Sequence, residues 1–169
     1  MSQTTTRRPR DRAGLRGRIE IQLHDIIVRR DARGRFAKGK QVKKLAKRVV
    51  TENLVVSGGL TWLCERMRAG ALQPITNYQL GTDATTPAAG QTALIAASYS
   101  APFTKSNVAG PVLTIMLHLG RTQGNGPTYV EGGMFTGDGT MIARGTFAGV
   151  IKVNTQTMTV VHTITLSAA

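Results

Sequence analysis

The sequence predicts a mainly β protein: a β-sandwich or jelly-roll-like domain with one short helix at about 57–69 and a basic N-terminal extension. After residue 70, turn signals built on Gly, Pro, Asn and Asp recur at short intervals and separate runs of β-favourable residues. The last of these runs, 156–167, alternates apolar positions with mostly Thr positions, which is typical of a strand with one buried face. The net positive charge is confined almost entirely to one end of the chain.

That charge divides the chain into two parts. The first 48 residues hold sixteen of the 22 Lys and Arg residues against four acidic residues, a net charge of +12, whereas the rest carries +1. We therefore expect a flexible basic arm at 1–17 and a β-sandwich body at 18–169 whose first segment, 18–48, is also basic. Such an arm needs an acidic partner: nucleic acid, anionic lipid or the acidic face of a protein assembly.

The first ordered element is a strand at about 18–29, because apolar and polar residues alternate from 19 to 24 and a β-favourable run follows. A turn is predicted at 31–34. The segment 38–50 fits either a helix or the lead-in to a strand, and we favour a strand at 47–56.

The single predicted helix begins near Gly58, is capped by Ser57 and ends at Gly70. Its core-facing positions, judged from helical spacing, are Leu60, Leu63, Cys64 and Met67. Cys64 is the only cysteine, so it forms no disulfide within the chain and is expected to be a small buried apolar residue.

The remaining chain is predicted to be strands and loops. A small-residue loop at 81–90 precedes a short helical turn at 91–96. Turn signals occur at Asn107 and Gly110, at 124–127, at 137–139, where Asp138-Gly139 fits a type I′ hairpin turn, and at Asn154. The predicted strands are 75–80, 98–105, 111–119, 128–135, 141–150 and 156–167.

A search of the sequence for catalytic and metal-binding patterns predicts no catalytic residue, no metal site and no cofactor. His24, His118 and His162 are widely separated and lack the short spacing of metal ligands. Glu131 lies between glycines and apolar residues, where a general acid is conceivable, but a cross-strand partner for Arg144 is the favoured interpretation. We therefore expect a protein that is not an enzyme.

The basic segment is the remaining candidate for function. Its Arg groups fit protein carboxylates as well as phosphates, so assembly contact, nucleic-acid contact and a solvated tail all remain open. Phe36 is the only aromatic residue among the first 61, so a stacking platform for single strands is missing. The candidate partner-binding residues are Arg7, Arg8, Arg10, Arg12, Arg16, Arg18, Arg29, Arg30, Arg33, Arg35, Lys38, Lys40, Lys43 and Lys44.

Membrane association is not expected from this sequence. The N-terminal residues 1–6 lead into arginines without the apolar segment of a signal peptide. No run approaches the roughly 20 apolar residues that a membrane span requires.

An ordered series of motifs covers about residues 50–167. It comprises Asn53-Leu54-Val55-Val56-Ser57-Gly58-Gly59-Leu60-Thr61-Trp62-Leu63, Ile75-Thr76-Asn77-Tyr78-Gln79-Leu80-Gly81-Thr82, a Pro87-to-Leu94 loop, Tyr129-Val130-Glu131-Gly132-Gly133-Met134-Phe135, Met141-Ile142-Ala143-Arg144 and a closing stretch from Ile151-Lys152 to Ile164-Thr165-Leu166. The series resembles small structural proteins of tailed bacteriophages, including the collar and fibre-attachment segments of tail fibres. Gly132-Gly133-Met134 departs slightly from the commoner form of that pattern, and residues 1–48 lie outside it.

The resemblance implies a non-enzymatic structural protein of the virion, assembled in the host cytoplasm and acting as a tail, collar or fibre-attachment subunit. Its expected partners are other virion proteins and further copies of itself, with the basic arm as a tether. A capsid decoration (cement) protein is the close alternative. A nucleic-acid-binding protein that uses the basic arm is the second alternative.

Overall fold

The computed structural model describes residues 14–30, 36–69 and 73–167, and within these ranges the mainly β class is confirmed. Nine strands and one helix follow one another along the described chain. They are β1 (Gly14–Arg30), β2 (Phe36–Val55), α1 (Ser57–Ala69), β3 (Ile75–Gly81), β4 (Ala97–Pro102), β5 (Lys105–Ala109), β6 (Val112–Leu119), β7 (Thr128–Thr136), β8 (Met141–Ile151) and β9 (Gln156–Ser167).

The nine strands form one curled antiparallel sheet in the order β4-β3-β7-β8-β2-β1-β9-β6-β5. β2 joins its two halves, since it pairs with β1 as far as Asn53 and then with β8 through Leu54 and Val55. At the far ends, only residues 103–104 separate β4 from β5. The N–H of Phe103 donates to Thr76 O and that of Thr104 to Met116 O, so this link is bonded to both halves.

A single main core lies inside the curl and draws residues from both halves of the sheet. The alternation predicted for the last strand is confirmed, because Met158, Val160, His162 and Ile164 of β9 are buried. Leu166, on the same predicted face, is 46% exposed, so the buried face ends before the strand does.

The first two strands are longer than predicted. β1 begins at Gly14, where it pairs with Ser167 of β9, so residues 14–17 of the predicted arm belong to the sheet. The helical alternative for 38–50 is wrong, because pairing with β1 holds this segment in β2. The turn predicted at 31–34 and the helix terminator Gly70 lie outside the described residues.

Helix α1 is where predicted, but its buried face is displaced by one residue. Leu60 is 45% exposed and Cys64 is exposed, so the prediction that both face the core is wrong. Gly59 is buried instead, because a glycine lets the helix approach the backbone of Ile142 closely. Trp62 and the predicted Leu63 are partly buried, and the Trp62 indole N–H donates to Gln73 O at 3.1 Å. The side chain of Met67 lies outside the described residues.

Three local predictions after the helix are wrong. Residues 91–96 form bends rather than a helical turn, and Leu94 is buried among them. The strand predicted at 98–105 is divided between β4 and β5, and Asn107 pairs with Thr114 instead of forming a turn.

The hairpin between β7 and β8 is not a type I′ turn. Gly139 is the only one of its central residues with positive φ, at 88°, whereas a type I′ turn requires two. The Gly139 N–H donates to Thr136 O at 3.1 Å, and the Asp138 carboxylate accepts from the Thr140 N–H at 3.2 Å. This local bonding lets Asp138 keep an ordinary negative φ.

Candidate partner-binding surface

β1 and β2 form a long antiparallel hairpin that carries most of the described positive charge, and we call residues 14–30 and 36–53 the basic hairpin. β1 pairs with β9 only as far as Asp25, which lies opposite Gln156. The Ile26 N–H still donates to Thr155 O at 3.0 Å. Beyond that point the two strands of the basic hairpin have only each other as strand neighbours within the described chain.

On the side of β2 that faces away from β1, the residues before Leu54 pair with no other strand of the described chain. β8 pairs with Leu54 and Val55 but not with any residue of β2 before them. We call the unpaired side of residues 42–53 the free edge. Lys47 crosses the gap, since its Nζ donates to Gly149 O of β8 at 2.5 Å, so the two strands lie near each other without pairing.

Positive and apolar side chains are interspersed along the free edge without a regular period, and nearly all of them are exposed. Four cations stand against one carboxylate, Glu52, between residues 42 and 53. Val42, Leu45 and Val50 are 37%, 49% and 46% exposed. A strand edge with exposed apolar side chains and unpaired backbone groups is a template for another strand. The exposed cations are Lys43, Lys44, Lys47 and Arg48.

The basic hairpin already binds one carboxylate of its own. Arg48 contacts Glu20 through two bonds, Nε to Oε1 at 2.7 Å and Nη2 to Oε2 at 3.0 Å. Arg18 Nη2 reaches the same Oε2 at 3.1 Å, and Gln22 donates to Oε1 at 2.7 Å. The Arg48 hydrogen bonds, followed by that from Gln22, lower the pKa of Glu20 to about 2. Both arginines are about half exposed, so solvent screens these surface pairs and their contribution to stability is small.

The structure places the predicted arm residues as follows. Arg16 and Arg18 are exposed on β1, and Lys43 and Lys44 are exposed on β2. The backbones of four others lie in the part of the basic hairpin beyond Asp25: Arg29, Arg30, Lys38 and Lys40. The structure therefore brings these eight residues into one hairpin. The other predicted residues, Arg7, Arg8, Arg10, Arg12, Arg33 and Arg35, lie outside the described residues.

The predicted cross-strand pair between Glu131 and Arg144 is confirmed. The two side chains are fully buried, with Arg144 Nη2 at 2.7 Å and Nε at 2.8 Å from Glu131 Oε2. Arg144 Nη1 also donates to Thr85 O at 3.0 Å, while Glu131 accepts the N–H of Ala96 at 2.9 Å. The pair therefore anchors both ends of the loop between β3 and β4, and its bonds account for both charges structurally.

A second buried polar cluster joins the two halves of the sheet and was not predicted. His162 of β9 contacts Tyr78 of β3, with Nδ1 at 3.2 Å from Oη, and its Nε2 lies within hydrogen-bonding distance of Asn53 Nδ2. Burial lowers the pKa of His162 to about 3 and raises the pKa of Tyr78. The alternation in β9 was the available signal, because it placed His162 on the buried face, where a ring nitrogen needs a partner.

An apolar groove lies beside α1. It encloses a cavity of about 140 Å³ between α1, the β5–β6 turn and the end of β9. Val108, at its rim, is 71% exposed. Its lining includes Val55, Trp62, Leu63, Pro111, Ile164 and Leu166.

The described ranges contain neither a cluster of metal-binding side chains nor a helix that could span a membrane. Residues 14–30, 36–69 and 73–167 contain no group of three or more His, Cys, Asp or Glu side chains that could hold a metal ion. In the same ranges, α1 lacks the length and apolar character needed to cross a bilayer. Comparison with protein families, curated proteins and solved structures finds no match to this chain.

Proposed function

We propose that this chain is a non-enzymatic structural subunit of a tailed-phage particle that acts through repeated protein–protein contacts. The free edge is the observation that supports this proposal most directly. On the resemblance of residues 50–167 to tail collar and fibre-attachment proteins, we propose a place in the virion tail, reached after assembly in the host cytoplasm. Residues 1–13, which precede the basic hairpin, then act as a tether to neighbouring virion proteins.

The physical argument rests on what an exposed strand edge does in water. Proteins usually shorten, cover or charge such edges, because unpaired N–H and C=O groups recruit other strands. Here the edge runs from Val42 to Asn53 and combines charge with exposed apolar side chains. A subunit that is completed only by its neighbours in an assembly would carry such a surface.

Contact with protein is favoured over contact with nucleic acid by the chemistry around Glu20. Arg48 and Arg18 are already bonded to this carboxylate, and Arg48 holds it with a bidentate fork. Nucleic-acid binding through Lys43 and Lys44 is the second candidate, since both are exposed on the free edge. It predicts an affinity for duplex DNA that falls steeply and linearly with added salt on logarithmic axes.

We also infer that the two halves of the curled sheet act as the two layers of a β-sandwich. Tyr78 belongs to one half and His162 to the other, yet their rings meet edge to face with centroids 5.5 Å apart. In a sandwich core, two sheets face each other and the side chains on their inner faces pack together in this way. Subunits of this form associate as homo-oligomers in our proposal, with closed rings the expected symmetry.

The proposal is tested by quantitative mass spectrometry of purified particles of the phage that encodes the chain, with separated heads and tails as controls. Copies are counted relative to the portal ring. A small symmetric number travelling with tails supports the tail, collar or fibre-attachment proposal. Hundreds of copies travelling with heads would make the chain a capsid decoration protein instead, and its absence from particles would overturn the proposal.

A further inference from the structure

We infer that the free edge accepts an additional β-strand from a partner protein, and that this strand is extended and acidic. The inference deepens the proposed function and rests on it only for the identity of the partner as an assembly protein. The strand-binding chemistry itself follows from the backbone, the charges and the exposed apolar side chains of residues 42–53.

The backbone of the free edge provides the hydrogen-bonding template. Pairing with β1 holds residues 42–45 and 47–53 in an extended conformation on either side of a register shift at Ala46, so each of the two stretches presents its own regular row. Every second residue of such a strand directs its N–H and C=O groups away from the existing neighbour. An added strand therefore meets a preorganised row of donors and acceptors and imposes no ordering cost on the free edge.

The charges of the free edge identify the occupant. A second copy of this chain is disfavoured there, because two such edges would each bring four cations and one carboxylate into the same ladder. An acidic strand places carboxylates opposite Lys43 and Lys44 instead, both of which are exposed, while Arg48 stays bonded to Glu20. The same lysines thus disfavour the pairing of two free edges, so copies of the chain associate through other surfaces, and select a partner of opposite charge at this edge.

Apolar contacts distinguish a polypeptide from a polyphosphate as the occupant. Val42, Leu45 and Val50 lie among the cations, and each exposes more than a third of its surface. Phosphate groups gain nothing from these side chains, whereas a strand with apolar residues between its acids covers them. The structure therefore favours an acidic strand with interspersed apolar residues over a nucleic-acid backbone.

Fluorescence anisotropy with the full chain at near-physiological salt tests the inference. The probe is a labelled peptide of about twelve residues in which Glu alternates with Val or Thr. Two peptides serve as controls: one has Lys in place of Glu, and the other has its central amide nitrogens methylated with every side chain kept. We expect each control to bind at least about tenfold more weakly, because one loses the charge match and the other the ladder donors.

Matched protein variants locate the site. Lys44→Glu on β2 and Lys105→Glu on β5 make the same charge change at exposed lysines in strands. We expect Lys44→Glu to weaken binding of the acidic peptide at least about fivefold and Lys105→Glu to change it less than about twofold. Hydrogen exchange should slow at the amides of residues 42–53 when the peptide binds.

Three outcomes would overturn the inference: equal binding of the methylated peptide, equal effects of the two Lys→Glu variants, or tighter binding of a DNA duplex of matched charge. These outcomes are independent of the particle count. A chain found in tails whose free edge ignores the acidic peptide would retain the proposed function and lose the strand-addition inference. A chain absent from particles that binds the peptide as expected would do the reverse.

Discussion

The buried His162 predicts a marked loss of stability in mild acid. His162 Nε2 faces the amide nitrogen of Asn53, and its Nδ1 lies 3.2 Å from Tyr78 Oη. When the Asn53 amide donates to Nε2, a proton added to that nitrogen would have no acceptor and would create a charge inside the core. Lowering the pH therefore tests this buried group, provided that variants separate it from the other histidines.

The magnitude follows from the pKa difference between the folded and unfolded chain. Burial lowers the pKa of His162 from its ordinary 6.5 to about 3, so the unfolded state binds a proton that the folded state excludes. The contribution to stability is complete above pH 6.5 and is lost as the pH falls from 6.5 towards 3. Between pH 7 and pH 5 the free energy of unfolding should fall by about 2 kcal/mol.

Urea unfolding at half-unit steps between pH 7 and pH 5 measures this loss. His162→Gln removes the titrating group, so its free energy of unfolding should vary much less over the same range, whatever its value at pH 7. His118 titrates with the same sign, since partial burial and then the positive charge of Lys43 lower its pKa, and His118→Gln is the matched control. Equal pH dependence in wild type and His162→Gln would refute the reasoning.

Two further predictions concern packing and the buried ion pair, and both are checked by urea unfolding at pH 7. A Cβ at Gly59 would collide with the backbone of Ile142, whereas one at Gly58 would lie 3.4 Å from its nearest neighbour. Gly59→Ala should therefore cost about 1–3 kcal/mol, and Gly58→Ala should be neutral or stabilise by up to about 1 kcal/mol; equal effects would contradict the close helix approach. Arg144→Met leaves the Glu131 charge buried and should cost about 3–5 kcal/mol, whereas Arg144→Met combined with Glu131→Leu should cost less than Arg144→Met alone. A double variant less stable than Arg144→Met would contradict this reasoning, because it would show that the unpaired Glu131 charge is not the main cause of the lost stability.

Local patterns were sufficient for most of the strands and for the buried ion pair. Alternation with period two located β9, and the glycines around Glu131 together with its apolar neighbours indicated a paired carboxylate. The face of α1 could not be obtained in the same way. Spacing alone allows Leu60 and Cys64 to face the core, and only the approach of the helix to Ile142 selects Gly59.

The free edge was beyond prediction for a different reason. Composition revealed the positive charge of residues 18–48, but a strand becomes an edge only through the order of all the strands. That order depends on β2 changing partners at Leu54, a contact between segments about ninety residues apart in sequence. The basic residues were therefore identified as a candidate surface, whereas their arrangement along an unpaired ladder was not.

The buried polar cluster and the free edge are connected through Asn53. Asn53 is the last residue of β2 that pairs with β1, and the next residue pairs with β8, so the strand changes partners at this point. The contact of Asn53 with His162, and of His162 with Tyr78, fixes this corner from inside the core. A strand that binds a partner through its backbone binds more tightly when its end is fixed. If that end frayed, part of the binding free energy would be lost in ordering it. Protonation of His162 should therefore weaken peptide binding at the free edge, and His162→Gln should make the affinity less dependent on pH. Loss of affinity in acid that is the same in both proteins would place its cause in the carboxylates of the peptide and not in the corner.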